Sequence, residues 1–438
     1  MRHNLEVHSA PLAILVAVLA TTWTCTLLHG PSTARIALQL GVATLSASSI
    51  ALLLDVEALL HPISTLSLPA SQWNLPAALL TTTCYALCLL SQTYDHNLKG
   101  NLQQRAIGIL VLSTTMVFLG DDRLVILLGY ELQTVALVVF LLTSAPSTGQ
   151  TKGIGTATCL LLLFALASTL LVLAGANILS ATTQNKVTGT WLLLLGGGVK
   201  LALFPLHAWL PKVHVESSTV GSILLAGVSL KTGFWVHTAY ASNILEILPS
   251  DGCLLLLLAG ATMSSLALFL QVDLKRWVAV YSISHMNLLY AMVGLAIRSN
   301  SQMPLSTLLL GMVGHSIISS GMFLVMGYVV DSTGTRTRYE LYSNWTIGYL
   351  LQVIWIGLIL ANSSFPGTVL SRVELTLLGA ASQVNVSIAA VAFGIATLSM
   401  LSGIELVSRS SRPYSQSNPT ITLLSGVLLV SATMATTI

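Results

Sequence analysis

The chain has 438 residues, 54% of them hydrophobic and only 8% charged, with a mean hydropathy of +0.83. Soluble domains carry about 25% charged residues, so composition excludes a soluble fold of this size and indicates a polytopic membrane protein. A net charge of +3 without any basic run also excludes a nucleic-acid surface.

A membrane-crossing helix needs about 20 mostly apolar residues. The apolar segments predict passes near 11–29, 35–59, 75–92, 104–120, 123–143, 154–180, 189–209, 218–245, 251–271, 276–297, 303–330, 344–382, 385–407 and 419–437. The N-terminal stretch MRHNLEVHSAPLAIL contains acid and shows neither an amphipathic presequence nor a small-residue cleavage site, so the first segment is expected to be a retained helix. The seventh segment is interrupted at Pro205, a little more than one turn after Lys200. The twelfth is too long for one straight helix and holds NSSFPG (Asn362 to Gly367) in its middle, which predicts two half-helices.

With fourteen passes, one side of the membrane holds Arg35, Lys99, Arg105, Lys152, Lys212, Lys275, Arg276, Arg336, Arg338, Arg409 and Arg412. The other holds Arg2, Arg123, Lys186 and Arg298, leaving Lys200, Lys231 and Arg372 inside the membrane. This bias is a positive-inside signal and places both termini outside. Paired interrupted helices point to inverted repeats with the ion site beside the breaks. The expected organisation is helices one to three over 1–103, a first five-helix repeat over 104–245, a second, inverted one over 251–407, and a last helix over 408–438.

Few residue types in this chain can carry chemistry, and several lie where charge is costly. A lysine at the centre of a bilayer costs roughly 2.5–3.5 kcal/mol on insertion scales, so intramembrane ionisable groups default to function. Glu131 lies about eight residues inside the fifth pass, and Lys200 is its candidate partner. Lys231 follows some thirteen residues of its own pass, too deep for an easy reach to water. Desolvation disfavours a charged ammonium, which makes both lysines plausible proton carriers near neutral pH. Glu374 lies two turns beyond the NSSFPG break, too far to cap the half-helix, which favours a proton site. His207, His285 and His315 can relay protons or sit as buried neutral groups bonded to a carbonyl. His214 and Glu216 are expected in a structural loop after the seventh pass, and Arg372 on the face opposite Glu374. Asp121, Asp122 and Arg123 read as a solvated turn, and Asp55 with Glu57 as a helix end.

Cys25, Cys84, Cys88, Cys159 and Cys253 lie in or beside apolar segments without the clustered spacing of a zinc or iron–sulfur site. No Gly-rich phosphate loop follows a strand. The expectation is no metal and no cofactor on this chain, with any redox chemistry on another one.

The stretch VKLALFPLHAWLPKVHVESSTVGSILLAGVSLK (199–231) resembles the signature of the antiporter-like subunits of respiratory complex I, mitochondrial NADH-ubiquinone oxidoreductase. QVDLKRWVAVYSISHMN (271–287), MVGHSIISSGMFLVMGYVVDSTGTRTR (312–338) and NSSFPGTVLSRVE (362–374) support it in the right order. The glutamate at 374 resembles the pattern of one member of that family, where its sister subunits carry lysine. GYELQTVAL around Glu131 reads more like a sister subunit, HVESS replaces the usual Ala-Pro after the glutamate, and Arg372 stands where an apolar residue is expected. The resemblance implies an all-α fold of about fourteen membrane helices, in the mitochondrial inner membrane, with termini toward the intermembrane space. It implies that Glu131 and Lys200 form one half-channel, that Lys231 is the central relay, that His285 and His315 continue the polar axis, and that Glu374 is the last carrier. It implies proton translocation coupled to quinone reduction elsewhere, with lipids, other membrane-arm subunits and sister antiporter-like subunits as partners. A sodium/proton antiporter subunit of the same fold and a non-pumping structural subunit are the alternatives.

Overall fold

The computed structural model describes residues 101–119, 123–143, 153–181, 185–300, 304–339, 349–365 and 367–409. The passes expected at 11–29, 35–59, 75–92 and 419–437 lie outside the described residues, as do Asp121, Asp122, Pro366 and the cysteines at 25, 84 and 88. The described residues form helices joined by turns and short connections, with one isolated bridge pairing Asp273 with Thr337. In chain order the helices are α1 (Asn101–Leu119), α2 (Arg123–Thr143), α3 (Ile154–Ala181), α4 (Lys186–Lys200), α5 (Trp209–Glu216), α6 (Thr219–Gly227), α7 (Thr232–Ala239) and α8 (Ala241–Ile247). They continue with α9 (Asp251–Leu268), α10 (Leu274–Arg298), α11 (Pro304–Thr333), α12 (Tyr349–Asn362), α13 (Val369–Val384) and α14 (Val386–Arg409).

Among the described residues seven helical stretches are long and apolar enough to cross a membrane. This agrees with an all-α polytopic fold. Where these helices begin, hydroxyl and carboxylate side chains take up backbone N–H groups that hydrocarbon would leave orphaned. Ser218 accepts from Gly221 N at 3.2 Å, Asp273 from Arg276 N at 3.0 Å and Thr368 from Ser371 N at 3.3 Å. The helix α10 is buried along almost its whole length and forms the centre of the bundle. The helix α3 instead turns Leu163, Leu166 and Leu170 outward, an apolar surface suited to lipid.

Both expected interruptions are present. The first separates α4 from α5 at residues 201–208, with a cis Phe204–Pro205 peptide and Ala202 in the left-handed region at φ 55°. Its freed backbone is satisfied from within the protein: Phe204 N donates to Asn287 Oδ1 at 2.9 Å, and Trp209 Nε1 donates to Val199 O at 2.9 Å. The second separates α12 from α13. There Ser364 and Gly367 take positive φ, Phe365 N donates to Leu360 O at 3.0 Å, and Ser363 accepts from the Tyr281 hydroxyl at 3.2 Å.

A third interruption corrects the expectation of one continuous helix over 218–245. The helix α6 stops at Gly227 and a 3-10 turn covers Ser229–Lys231 before α7 begins. The ammonium of Lys231 itself donates to the Ala226 carbonyl at 2.5 Å, satisfying an acceptor at this helix end.

Candidate functional site

The three interruptions place the intramembrane lysines. Lys200 is the last residue of α4 and Lys231 closes the 3-10 turn, and both are buried, Lys231 completely. Neither snorkels. Close approach between α4 and α7 depends on glycine: a Cβ on Gly197 would lie 2.9 Å from Gly233 O.

From Lys231 a continuous row of titratable side chains crosses to the second broken pass. The Lys231 Nζ lies 3.1 Å from His315 Nδ1 on α11. The rings of His315 and His285 stack, with centroids 5.3 Å apart and planes 16° from parallel. His285, on α10, places its Nδ1 3.2 Å from Glu374 Oε1 on α13. All four side chains are buried, and the Nε2 atoms of both histidines are buried with no protein partner. A buried polar atom without a partner calls for an explanation; the stacked rings share no hydrogen bond, so a proton passing between them needs a bridging water. A cavity of about 10 Å³ adjoins the far end, lined by Leu288, Ala396 and the polar side chains of Tyr281, Ser284, His285, Asn362, Ser363, Ser364, Glu374 and Ser399. Arg372 is exposed on α13, on the other face from Glu374, as expected.

The remaining expected residues stand apart from this row. Glu131 and Lys200 are not within ion-pair distance, which corrects their expected direct pairing. The Lys200 Nζ donates to Tyr130 O at 2.5 Å and lies 3.3 Å from the centroid of the Tyr130 ring. Glu131 instead accepts a hydrogen bond from Thr169 on α3. Between Lys200 and the Lys231 turn lies a cavity of about 20 Å³, lined by Thr134, Leu137, Leu161, Phe164, Val199, Trp209, Leu225 and Ser229. The Ser229 hydroxyl is buried without a partner beside it, and the surface facing the space is apolar, as in a dry cavity. His207 lies in the α4–α5 break with its ring stacked on Phe204 at 5.5 Å, away from the row.

Several groups were placed wrongly or missed. His214 and Glu216 are not in a loop: they lie in the last turn of α5, both buried. Lys275, expected in a water-facing connection, is 1% exposed and its Nζ donates to Ser217 O at 2.9 Å. Arg336 reinforces the same end of α5, donating to Val215 O at 2.9 Å and pairing with Asp273 at 2.7 Å. Tyr130 and Gln133 also escaped the sequence reading. Gln133 Oε1 accepts from Thr232, next to Lys231, at 3.1 Å. No sequence signal distinguishes such uncharged groups from packing. Among the described residues no cluster of three or more His, Cys, Asp or Glu could hold a metal ion.

Comparison with known proteins sets this geometry in a family. Residues 120–401 match the transmembrane family described as NADH:quinone oxidoreductase/Mrp antiporter. NADH-ubiquinone oxidoreductase chain 4 of Dictyostelium citrinum is 35% identical over 181 residues, covering 40% of this chain and 42% of that one. NADH-quinone oxidoreductase subunit M of Pseudomonas aeruginosa is 32% identical over 250 residues, covering 55% and 48%. The chain thus spans less than half the length of these curated relatives. A chain of respiratory complex I from Thermus thermophilus superposes with a TM-score of 0.77 at 20% identity, over 96% of this chain and 94% of that chain. A chain of the Mrp complex from a Dietzia species gives 0.74 at 15% identity, over 94% and 82%. These two show a shared fold. The family match covers well over half of the sequence and includes every titratable residue of the row, so the chain belongs to the NADH:quinone oxidoreductase/Mrp antiporter membrane family.

Proposed function

We propose that the chain is a proton-translocating membrane-arm subunit of NADH:ubiquinone oxidoreductase, respiratory complex I. The observation that carries this reading is the buried row Lys231, His315, His285, Glu374, which links two interrupted helices through contacts of 3.1 and 3.2 Å and one ring stack. Each member can bind or release one proton; Lys231 with His315 and His285 with Glu374 lie at hydrogen-bond distance, and one water would bridge the stacked histidines. A scaffold needs no such succession of titratable groups, because buried charge is costly unless used.

Lys200 takes the loading position. It donates to a backbone carbonyl and rests on an aromatic face, interactions that hold the ammonium without neutralising it. A shift of Glu131 from Thr169 toward Lys200 would hold the lysine's proton more tightly, and its withdrawal would release that proton. The proton's way across to the Lys231 turn runs past the buried Ser229 hydroxyl once water enters between the two lysines. Protonation then passes through His315 and His285 to Glu374, and the adjoining cavity opens the way out. Quinone reduction and its redox centres belong to other chains of the complex, and this chain carries no cofactor. Sister antiporter-like subunits and lipids flank it in the mitochondrial inner membrane. The two five-helix units, 104–245 and 251–407, act as inverted repeats, and both termini face the intermembrane space.

The test is the intact complex in proteoliposomes carrying Lys200→Ala or Glu131→Ala. Assembly is expected to persist while proton pumping and coupled quinone reduction fall. Wild-type pumping by the assembled variants would reject the proposal. The fold shared with the Mrp complex chain favours one second reading, a sodium/proton antiporter subunit. Sodium-dependent proton exchange by the chain's own complex, independent of quinone, would select it.

A further inference from the structure

The faces that the bundle turns outward differ in chemistry. The helix α3 presents Leu163, Leu166 and Leu170, and α9 presents Leu255, Met263 and Leu266, surfaces that hydrocarbon can cover. The half-helix α13 instead exposes Arg372, Leu375, Thr376, Gly379, Ser382 and Gln383. Their spacing of three and four residues sets them in one stripe, in which Leu375 is the one large apolar side chain.

Arg372 stands at the depth where charge is most costly. His285 is at the midpoint of α10, a helix long enough to cross the membrane, and Glu374 meets it at 3.2 Å. Arg372 precedes Glu374 by two residues, about 3 Å along the helix axis, and so lies near the middle of the hydrocarbon. From there an arginine is too short to bring its head to either water interface, each about 15 Å away. Among the described residues Arg372 has no ion-pair partner, whereas Arg298, Arg336 and Arg338 each meet a carboxylate. The neighbouring Thr376 hydroxyl is turned back on its own helix, donating to Arg372 O at 2.7 Å. Two turns along the stripe, a Cβ on Gly379 would meet nothing within 4 Å, so no contact within the bundle calls for a glycine there. A glycine open to the outside lets the backbone of another helix come close.

We propose that the outward face of α13 seats a transmembrane helix of a neighbouring subunit, and that this helix carries a carboxylate paired with Arg372. This rests on the reading of the chain as a subunit of complex I. Charge complementarity selects the occupant. Lipid tails supply no anion, and a lipid phosphate stays at the interface, whereas a protein helix can present a carboxylate at any depth. The ion pair fixes the register of the two helices, and Thr376, Gly379 and Ser382 let them close.

The experiment uses the intact complex in its own membrane, with a photoreactive phenylalanine analogue in place of Leu375 and, separately, Arg372→Leu, Arg372→Glu and Arg372→Lys. The expected adduct joins position 375 to a membrane helix of another subunit, with an Asp or Glu within two turns of the attachment point. Arg372→Leu removes a charge from hydrocarbon and is expected to insert normally, yet to leave the complex at least about tenfold faster in detergent. Arg372→Glu is expected to leave faster still, and Arg372→Lys to fall between leucine and wild type. Exchanging the identified carboxylate for lysine is expected to restore Arg372→Glu. Absence of an adduct with another subunit overturns the inference, and so does an adduct with lipid, with another segment of this chain or with a helix lacking an acid. Arg372→Leu held as firmly as wild type overturns it equally, and the cross-link decides alone if a variant fails to insert. A wild-type chain found in no quinone-reducing complex would instead bring down the subunit reading itself.

Discussion

The Nδ1 of His285 lies 3.2 Å from Oε1 of Glu374, joining the centre of the most buried helix to the half-helix beyond the second break. The contact sets an imidazole nitrogen against a carboxyl oxygen within hydrogen-bond reach. It makes Glu374 the end of the row and the opening onto the cavity that Ser284, Ser399 and Asn362 line.

Glu374→Gln separates this proton role from a structural one. A glutamine side chain keeps the size and the hydrogen bond to His285 but cannot bind and release a proton. The variant is expected to assemble in normal amount while proton flux falls about tenfold or more. Native gel analysis against flux in proteoliposomes checks both halves, and unchanged flux would remove Glu374 from the path.

Lys231→Met tests the double use of one ammonium. The side chain donates to Ala226 O at 2.5 Å and contacts His315 at 3.1 Å. Methionine keeps the volume but leaves a buried carbonyl without this donor, at a cost of about 1–3 kcal/mol. The expected outcome is a complex that dissociates at lower temperature than wild type and transports no protons. A variant of wild-type thermal stability would show that the turn does not depend on the lysine.

The sequence revealed these features unevenly. Pro205 and NSSFPG announce their breaks because proline lacks a donor and cannot continue a helix. The break at Lys231 carries no such mark, since the group that satisfies the Ala226 carbonyl belongs to the lysine itself. Depth in an apolar run placed Glu131, Lys200 and Lys231 inside the membrane, but depth says nothing about which way a side chain faces. Hence the expected Glu131–Lys200 pair resolves into Glu131 with Thr169 and Lys200 with Tyr130. Lys275 stands in a run of charge, DLKR, that looks like a connection. It is buried because Ser217 O, 58 positions earlier, accepts from it, a contact no local pattern records.

Tyr130 gives a graded test of the loading position. Its ring lies 3.3 Å from the Lys200 Nζ, while its hydroxyl bonds Ser168 at 2.6 Å on the far side. Tyr130→Phe keeps the ring face under the ammonium, and Tyr130→Leu removes it. A desolvated cation–π contact is worth about 2 kcal/mol, so the leucine variant is expected to lose more proton flux than the phenylalanine variant at equal assembly. Equal losses in both would assign the tyrosine's contribution to its hydroxyl.

Within the run Gly196, Gly197 and Gly198, the structure makes opposite demands on neighbouring glycines. A Cβ on Gly197 would meet Gly233 O at 2.9 Å and His237 Cδ2 at 2.7 Å, both on the packed helix α7. A Cβ on Gly198 would come no closer than 3.4 Å, to the end of the Leu203 side chain, an ordinary contact. Gly197→Ala therefore forces α4 away from α7, with overpacking costs of about 1–3 kcal/mol, and displaces Lys200 three residues on. Gly198→Ala adds no such clash and replaces a poor helix former, worth roughly 1 kcal/mol in the other direction. The thermal stability of the assembled complex is expected to fall in the first variant and to hold or rise in the second. A reversed order would mean that α4 and α7 are not in close contact at this point.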